Sequence, residues 1–196
     1  MRKQTDHVDD SETADELLAE LGMLFGNDVV PADLISVWLA QQADHTDLLD
    51  SFELILMLGL ESVDVLGSLA DDPGSDAAAI TALGRLLDEI VFVAEAMDGM
   101  LLGYWLPPGE ADRVVVAVDE HGQVSLQGRT FVEALIAFTD PDDPDEAAEV
   151  VAELAQMGIT TASNTVQEVL DRIEALPEPN EIVLGYLLEA RMNPGA

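Results

Sequence analysis

The chain has 196 residues, 48% of them hydrophobic, which is enough for one domain with a buried core and argues against disorder along its whole length. Seven basic residues against 40 acidic give a formal charge of -33, and Lys3 is the one lysine, so direct DNA or RNA binding through a basic footprint is excluded. With no cysteine there is no disulfide framework, Cys-based zinc site or thiol nucleophile, and the redox compartment stays open.

The polar residues 1–10 lack periodicity and read as a mobile tail. Their start, Met1-Arg2-Lys3, runs into acids rather than an apolar stretch, which argues against a secretory signal. Thr13-Ala14-Asp15-Glu16 has capping-box spacing, and Leu17, Leu18, Leu21 and Leu24 recur at helical intervals, so a helix is expected from about 11 to 25, ended by Gly26-Asn27. Pro31 suits a first helical position, and Leu34, Ile35, Trp38 and Leu39 form one stripe of a second helix to about 42, with Trp38 in the core. The apolar stretch Phe52 to Leu60 fits a buried helix or a buried strand. Its longest unbroken run, Leu54 to Leu60, is far below the ~20 residues of a membrane span.

Asp71 to Asp76 reads as a loop, followed by an Ala/Leu-rich helix to about 88. The period then changes. Ile90 to Val93, Met100 to Leu106, Arg113 to Asp119 and Gln123 to Leu126 fit four short strands. Their connections at Asp98-Gly99, Pro107-Pro108-Gly109 and Glu120-His121-Gly122 leave no room for a crossover helix, so an antiparallel meander is expected. Thr130 to Phe138 then reads as a helix covering one sheet face, through Phe131, Leu135 and Phe138.

Beyond Thr139, Asp143, Pro144 and Glu146 stand as N-cap, first helical residue and following acid of a helix continued by Val150, Val151 and Leu154. Asn164 to Gln167 opens another, carrying Val166, Val169, Leu170 and Ile173 and stopping before Pro177 and Pro179; an amphipathic segment from Ile182 to Met192 ends ahead of Pro194. The expected fold class is α+β. N-terminal helices pack on an antiparallel sheet of four or more strands within residues 11–139, and residues 140–196 form a helical C-terminal extension packed on that domain.

Chemistry-bearing motifs are sparse. His7, His45 and His121 are far apart and lack the spacing of a helical zinc motif, and no nucleophile elbow, Walker loop or Gly-x-Gly-x-x-Gly turn occurs. Asp140 to Glu146 lacks the glycine and terminal glutamate of a calcium loop, and a capped helix start explains its acids. No catalytic residue, metal site or cofactor is expected, and the protein is not expected to be an enzyme.

The strand block from Phe92 to Phe138 contains a strand ending at Ala94, the Asp98-Gly99 turn, the pair Tyr104-Trp105, the strand Val114 to Val118, the Asp119 to Gly122 turn and a helix opening at Thr130-Phe131. With Val30-Pro31-Ala32-Asp33-Leu34 and Trp38-Leu39 upstream, it resembles the SUKH superfamily over residues ~15 to 139. It departs from that pattern in lacking a Gly-Asp step at the second core strand, and the helices after 140 have no obvious equivalent there. The resemblance implies a bacterial immunity protein that binds and blocks a toxin, often a nuclease.

The charge supports the same reading independently. Averaged over a folded globule of this size, the net negatives are about two- to threefold more dilute than along a DNA duplex, so recognition of a basic partner requires clustered carboxylates. Acids concentrate in Asp6 to Glu20, Asp71 to Asp76, Glu110 to Glu120 and Asp140 to Glu153. The expected partner-binding residues are Glu110, Asp112, Asp119, Glu120, Asp140, Asp142 and Asp143, around the sheet rim and the loop leading to the extension. The expected protein is cytoplasmic, binds a basic protein such as a cognate toxin, and contacts neither nucleic acid nor membrane; self-association is left open. A chaperone-like module that holds an extended client on a sheet edge or apolar groove is the alternative. So is a plain adaptation to high salt.

Overall fold

Successive residues of a strand point to opposite faces, so a run that is apolar at every position must be covered on both sides. Val114-Val115-Val116-Ala117-Val118 is such a run, and all five residues are buried. The protein is seen here in a computed structural model that describes residues 18–26, 29–42, 48–57, 66 and 76–192. Helices α1 (residues 18–24), α2 (Ala32–Gln42) and α3 (Leu48–Ser51) precede strand β1 (Leu54–Leu56). Helix α4 (Ala77–Leu87) leads into β2 (Ile90–Ala96), β3 (Leu101–Trp105), β4 (Val114–Val118) and β5 (Val124–Gly128). Helices α5 (Phe131–Ala137), α6 (Pro144–Gln156), α7 (Val166–Ile173) and α8 (Pro179–Met192) complete the chain.

The fold is α+β. Its five strands form one antiparallel sheet in chain order, the expected meander with one strand more. The added strand comes from the ambiguous stretch. After α3 the chain turns at Phe52 and Glu53, with Glu53 at φ 52°, and Leu54–Leu56 pairs with Ala94 to Ala96. Residues 58–60 of that stretch, the capping box at Thr13 to Glu16, and His7 and His45 lie outside the described residues.

The sheet is the middle layer of three. On one face Leu54, Ala94, Leu102, Tyr104, Val115 and Ala117 pack with Leu21, Phe25, Leu34, Val37, Phe131, Leu135, Val150, Leu154 and Val169 of the helices. On the other, Phe92, Trp105, Val114, Val116 and Val124 pack with Leu83, Leu86, Leu87, Ile173 and Leu176, joined by Ile182, Val183 and Tyr186 of α8. A bulge between Phe92 and Ala94 switches β2 between faces. Ile90 and Phe92 look toward the second core and Ala94 and Ala96 toward the first, because one extra residue shifts the alternation by one. Opposite the bulge, Gly103 admits no side chain: a Cβ there would stand 2.4 Å from Ile90 Cγ2 and 2.9 Å from the Val91 carbonyl oxygen.

The helices after 140 serve both cores. Val169 of α7 faces the first and Ile173 the second, so the chain rounds the β5 edge along this helix. That edge is then closed by a side chain. Asn180 donates Nδ2 to the Val124 carbonyl at 2.8 Å and accepts from Val124 N at 3.4 Å, standing in for a neighbouring strand.

Three apolar residues lie differently from the sequence expectation. Trp38 is only partly buried at the margin of the first core, where Leu34 and Val37 take the interior. Leu39 and Leu170 are exposed, because α2 and α7 bury narrower stripes than their sequences offer. The last helix begins at Pro179 rather than Ile182.

Tyr104 anchors the first core. Its hydroxyl donates to Asp33 Oδ2 on α2 at 3.1 Å, and the same oxygen accepts the first amide of α5, Phe131 N, so one carboxylate ties two helices to the sheet. Burial, then the neighbouring Asp33 charge, raises the Tyr104 pKa well above a tyrosine's ordinary 10.0. The unfolded chain loses this proton near its ordinary value while the folded protein retains it. Stability is therefore full below pH 10 and falls as pH rises through the window above it, by about 1.4 kcal/mol per pH unit for this group. Urea titrations between pH 8 and 11 should show that fall, and Tyr104→Phe should flatten it; an equally steep fall in the variant would remove Tyr104 as its cause.

Candidate protein-binding surface

The acids expected to act together are divided by the fold. Glu110 and Asp112 lie in the β3–β4 loop, and Asp119 and Glu120 in the β4–β5 turn, so opposite ends of β4 separate the pairs by roughly 20 Å. Asp140, Asp142 and Asp143 form a third group in the α5–α6 connection. Several have local duties. Asp119 Oδ1 accepts from His121 N at 2.9 Å and Gln123 N at 2.8 Å, shaping the hairpin turn, where the exposed His121 stands 3.5 Å from Glu120. Asp140 Oδ1 accepts from Asp142 N, Asp143 caps α6 through Asp145 N, and Glu146 reaches back to Asp140 N at 2.9 Å. Glu110 faces Arg129 at 3.6 Å, while Asp112 is exposed.

Glu133 escaped the sequence reading. It is fully buried at the start of α5, where Oε1 accepts from Arg172 Nε at 2.7 Å and Ser163 Oγ at 2.8 Å, and Oε2 from Arg129 N at 2.9 Å. Arg129 in turn donates Nε to the Arg172 carbonyl at 3.0 Å. The Thr130-x-x-Glu133 spacing of a capping box was visible in the sequence, and Thr130 does accept from Glu133 N. Its distant partners were not visible.

These pairs consume the protein's own cations. Arg85 bridges Glu189 at 3.0 Å and lies 3.9 Å over the Tyr186 ring, Arg129 faces Glu110, Arg172 holds Glu133 and Arg191 holds Asp76. Arg113 lies over the Phe25 ring at 5.9 Å. Arg85, Arg129, Arg172 and Arg191 thus neutralise carboxylates of the same chain.

Among the described residues, α6 carries a row of acids. At 100° per residue, Ala147, Val150 and Leu154 face the core, Asp145 and Glu149 point away from it with Ala148, Ala152 and Gln156, and Glu146 and the half-buried Glu153 lie on one flank. The first-turn acids suit the helix dipole. Glu149 and Glu153 do not: they continue an i, i+4 row of like charges toward a C-terminal turn that has no basic residue. Helix stability therefore leaves this row unexplained, whereas a cationic partner would relieve it.

The ridge ends beside a groove. Ser36, Leu39 and Ala40 of α2 face Glu153, Gln156, Met157, Gly158 and Ile159 across a space of about 620 Å³. Gly158, at φ 75°, lets the chain leave α6 in a Schellman turn in which Ile159 N donates to the Leu154 carbonyl at 2.9 Å, and this sets the groove floor. Exposed Leu39 thus neighbours Glu153, placing an apolar anchor next to a row of carboxylates. Among the described residues, no three acidic or histidine side chains converge on a cation site, and no helix is long and apolar enough to cross a membrane.

No protein-family model, curated protein or solved structure matches the chain.

Proposed function

We propose that this is a non-enzymatic acidic binding protein that docks a basic protein partner and blocks it, in the manner of an immunity protein of the SUKH type acting in the cytoplasm on a cognate toxin such as a nuclease. The observation that carries the reading is the carboxylate row of α6 next to the Leu39 groove, in a chain where Arg85, Arg129, Arg172 and Arg191 are already paired with its own acids. A nuclease needs a basic face for its anionic substrate, and an acidic inhibitor would be steered onto it at rates far above those of a neutral pair. The Asn180 cover on β5 counts against strand addition at that edge, which weakens the chaperone alternative.

The test is capture from a lysate of the source cell on the immobilised protein, with elution by rising salt. A folded basic protein recovered one to one, released by salt and inactive while bound, is the expected result. Recovery of unfolded segments, or of nothing salt-sensitive, would overturn it.

A further inference from the structure

Helix α8 is long but shallowly seated. Of its 14 residues only Pro179, the first, is buried, and Ile182, Val183, Tyr186 and Leu187 on its inner side are half-buried. Helix α5, half as long, buries six residues. The start of α8 is fixed, because Leu176 and Pro179 are buried and Asn180 holds both backbone groups of Val124. Its other end is clamped to α4 by charged groups. Glu189 pairs with Arg85 at 3.0 Å, the same guanidinium lies 3.9 Å over the Tyr186 ring, and Arg191 pairs with Asp76, the N-cap of α4. The Tyr186 hydroxyl adds a bond to Glu89 just past α4. These clamps stand in water: the side chains of Arg85 and Glu189 are 52% and 65% exposed, those of Arg191 and Asp76 58% and 48%. Ion pairs so exposed are weak and screened by salt.

We propose that α8 is a lid on the second core, hinged at Pro179 and Asn180 and clamped at its far end by the Arg85–Glu189 and Arg191–Asp76 pairs, so that ionic strength sets how often it opens. Opening withdraws Tyr186 from Arg85 and Glu89 and bares part of the second core, where Ile182, Val183 and Tyr186 had rested. The closed form therefore predominates, and opening is a local event below the cost of global unfolding. Salt acts on the rest of the molecule with the opposite sign. Screening a net charge of -33 relieves self-repulsion and firms the globule, whereas it loosens the two clamps.

Hydrogen–deuterium exchange of the whole chain at one pH, in 0.05 and 0.5 M NaCl, tests this beside a Glu189→Gln/Arg191→Gln double variant, which leaves the net charge unchanged and Asp76 free to cap α4. In the wild type, amides of residues 184–192 are expected to exchange about fivefold faster at the higher salt, relative to those of α7. In the double variant they should already do so in 0.05 M NaCl, and added salt should change them little. Exchange of residues 184–192 that ignores both salt and the substitutions, as in a helix end that merely frays, would overturn the proposal. So would exchange as slow as that of β4 under every condition, since α8 would then open only with the whole fold.

Discussion

Arg172→Ala is expected to destabilise the protein by about 3 kcal/mol, and adding Glu133→Gln to it should recover part of the loss. Glu133 has no exposed surface, whereas the Arg172 side chain keeps 41% of its own. Removing the guanidinium strands a buried carboxylate with only Ser163 Oγ and Arg129 N as donors, while removing the carboxylate leaves an arginine that water can still reach. The cost is thus asymmetric and sits at the lower end of the range for a broken buried pair. Urea unfolding of the two single variants and the double variant measures it. An Arg172→Ala loss below about 0.5 kcal/mol, or a double variant no more stable than Arg172→Ala, would show that the buried charge is not what the arginine answers.

Trp105→Ala should cost more, about 4 kcal/mol. Trp105 is fully buried at the end of β3 against Ile90 and Val114, and its Nε1 donates to Glu89 at 3.2 Å. The other Glu89 oxygen accepts the Tyr186 hydroxyl at 2.8 Å, so the same carboxylate pins α8 to the sheet. The substitution leaves a large void and removes one of the two donors on Glu89. Trp105→Phe, which keeps most of the volume, should lose roughly half as much, and equal losses in thermal or urea unfolding would show that packing is not the main term.

Much of this architecture follows from local patterns. Val114 to Val118 reads as a strand because it is an unbroken run of valine and alanine between turn signals, though not as one covered on both faces, and Asp143-Pro144 reads as a helix start because the cap and fixed φ act within one turn. β1 was not legible: a three-residue strand has no period of its own, and pairing with Ala94 to Ala96 decides its conformation. The same holds for Trp38, since a stripe wider than its contact shows which side is apolar but not which residue reaches the interior. On α8, Ile182, Val183 and Tyr186 and the Leu184-Leu188-Met192 row are both plausible inner sides by sequence, and only the packed sheet distinguishes them.

The candidate surface was partly legible. Acid runs mark where charge is dense, and Asp140, Asp142 and Asp143 do stand at the head of the α6 ridge. Sequence does not tell which acids are occupied. Asp119 is taken by its turn, Glu110 by Arg129 and Glu133 by Arg172, and these partners are set by tertiary contacts.

The most direct test is the association rate of the captured partner with the wild-type chain and with a variant carrying Asp142→Asn, Asp145→Asn, Glu149→Gln and Glu153→Gln, which spares the capping Asp143 and Glu146. In 0.05 M salt the variant is expected to associate at least about tenfold more slowly, and in 0.5 M salt the two rates should converge. Equal rates at low salt, with both proteins folded, would mean that the α6 carboxylates do not steer the partner and would contradict the reading of this surface.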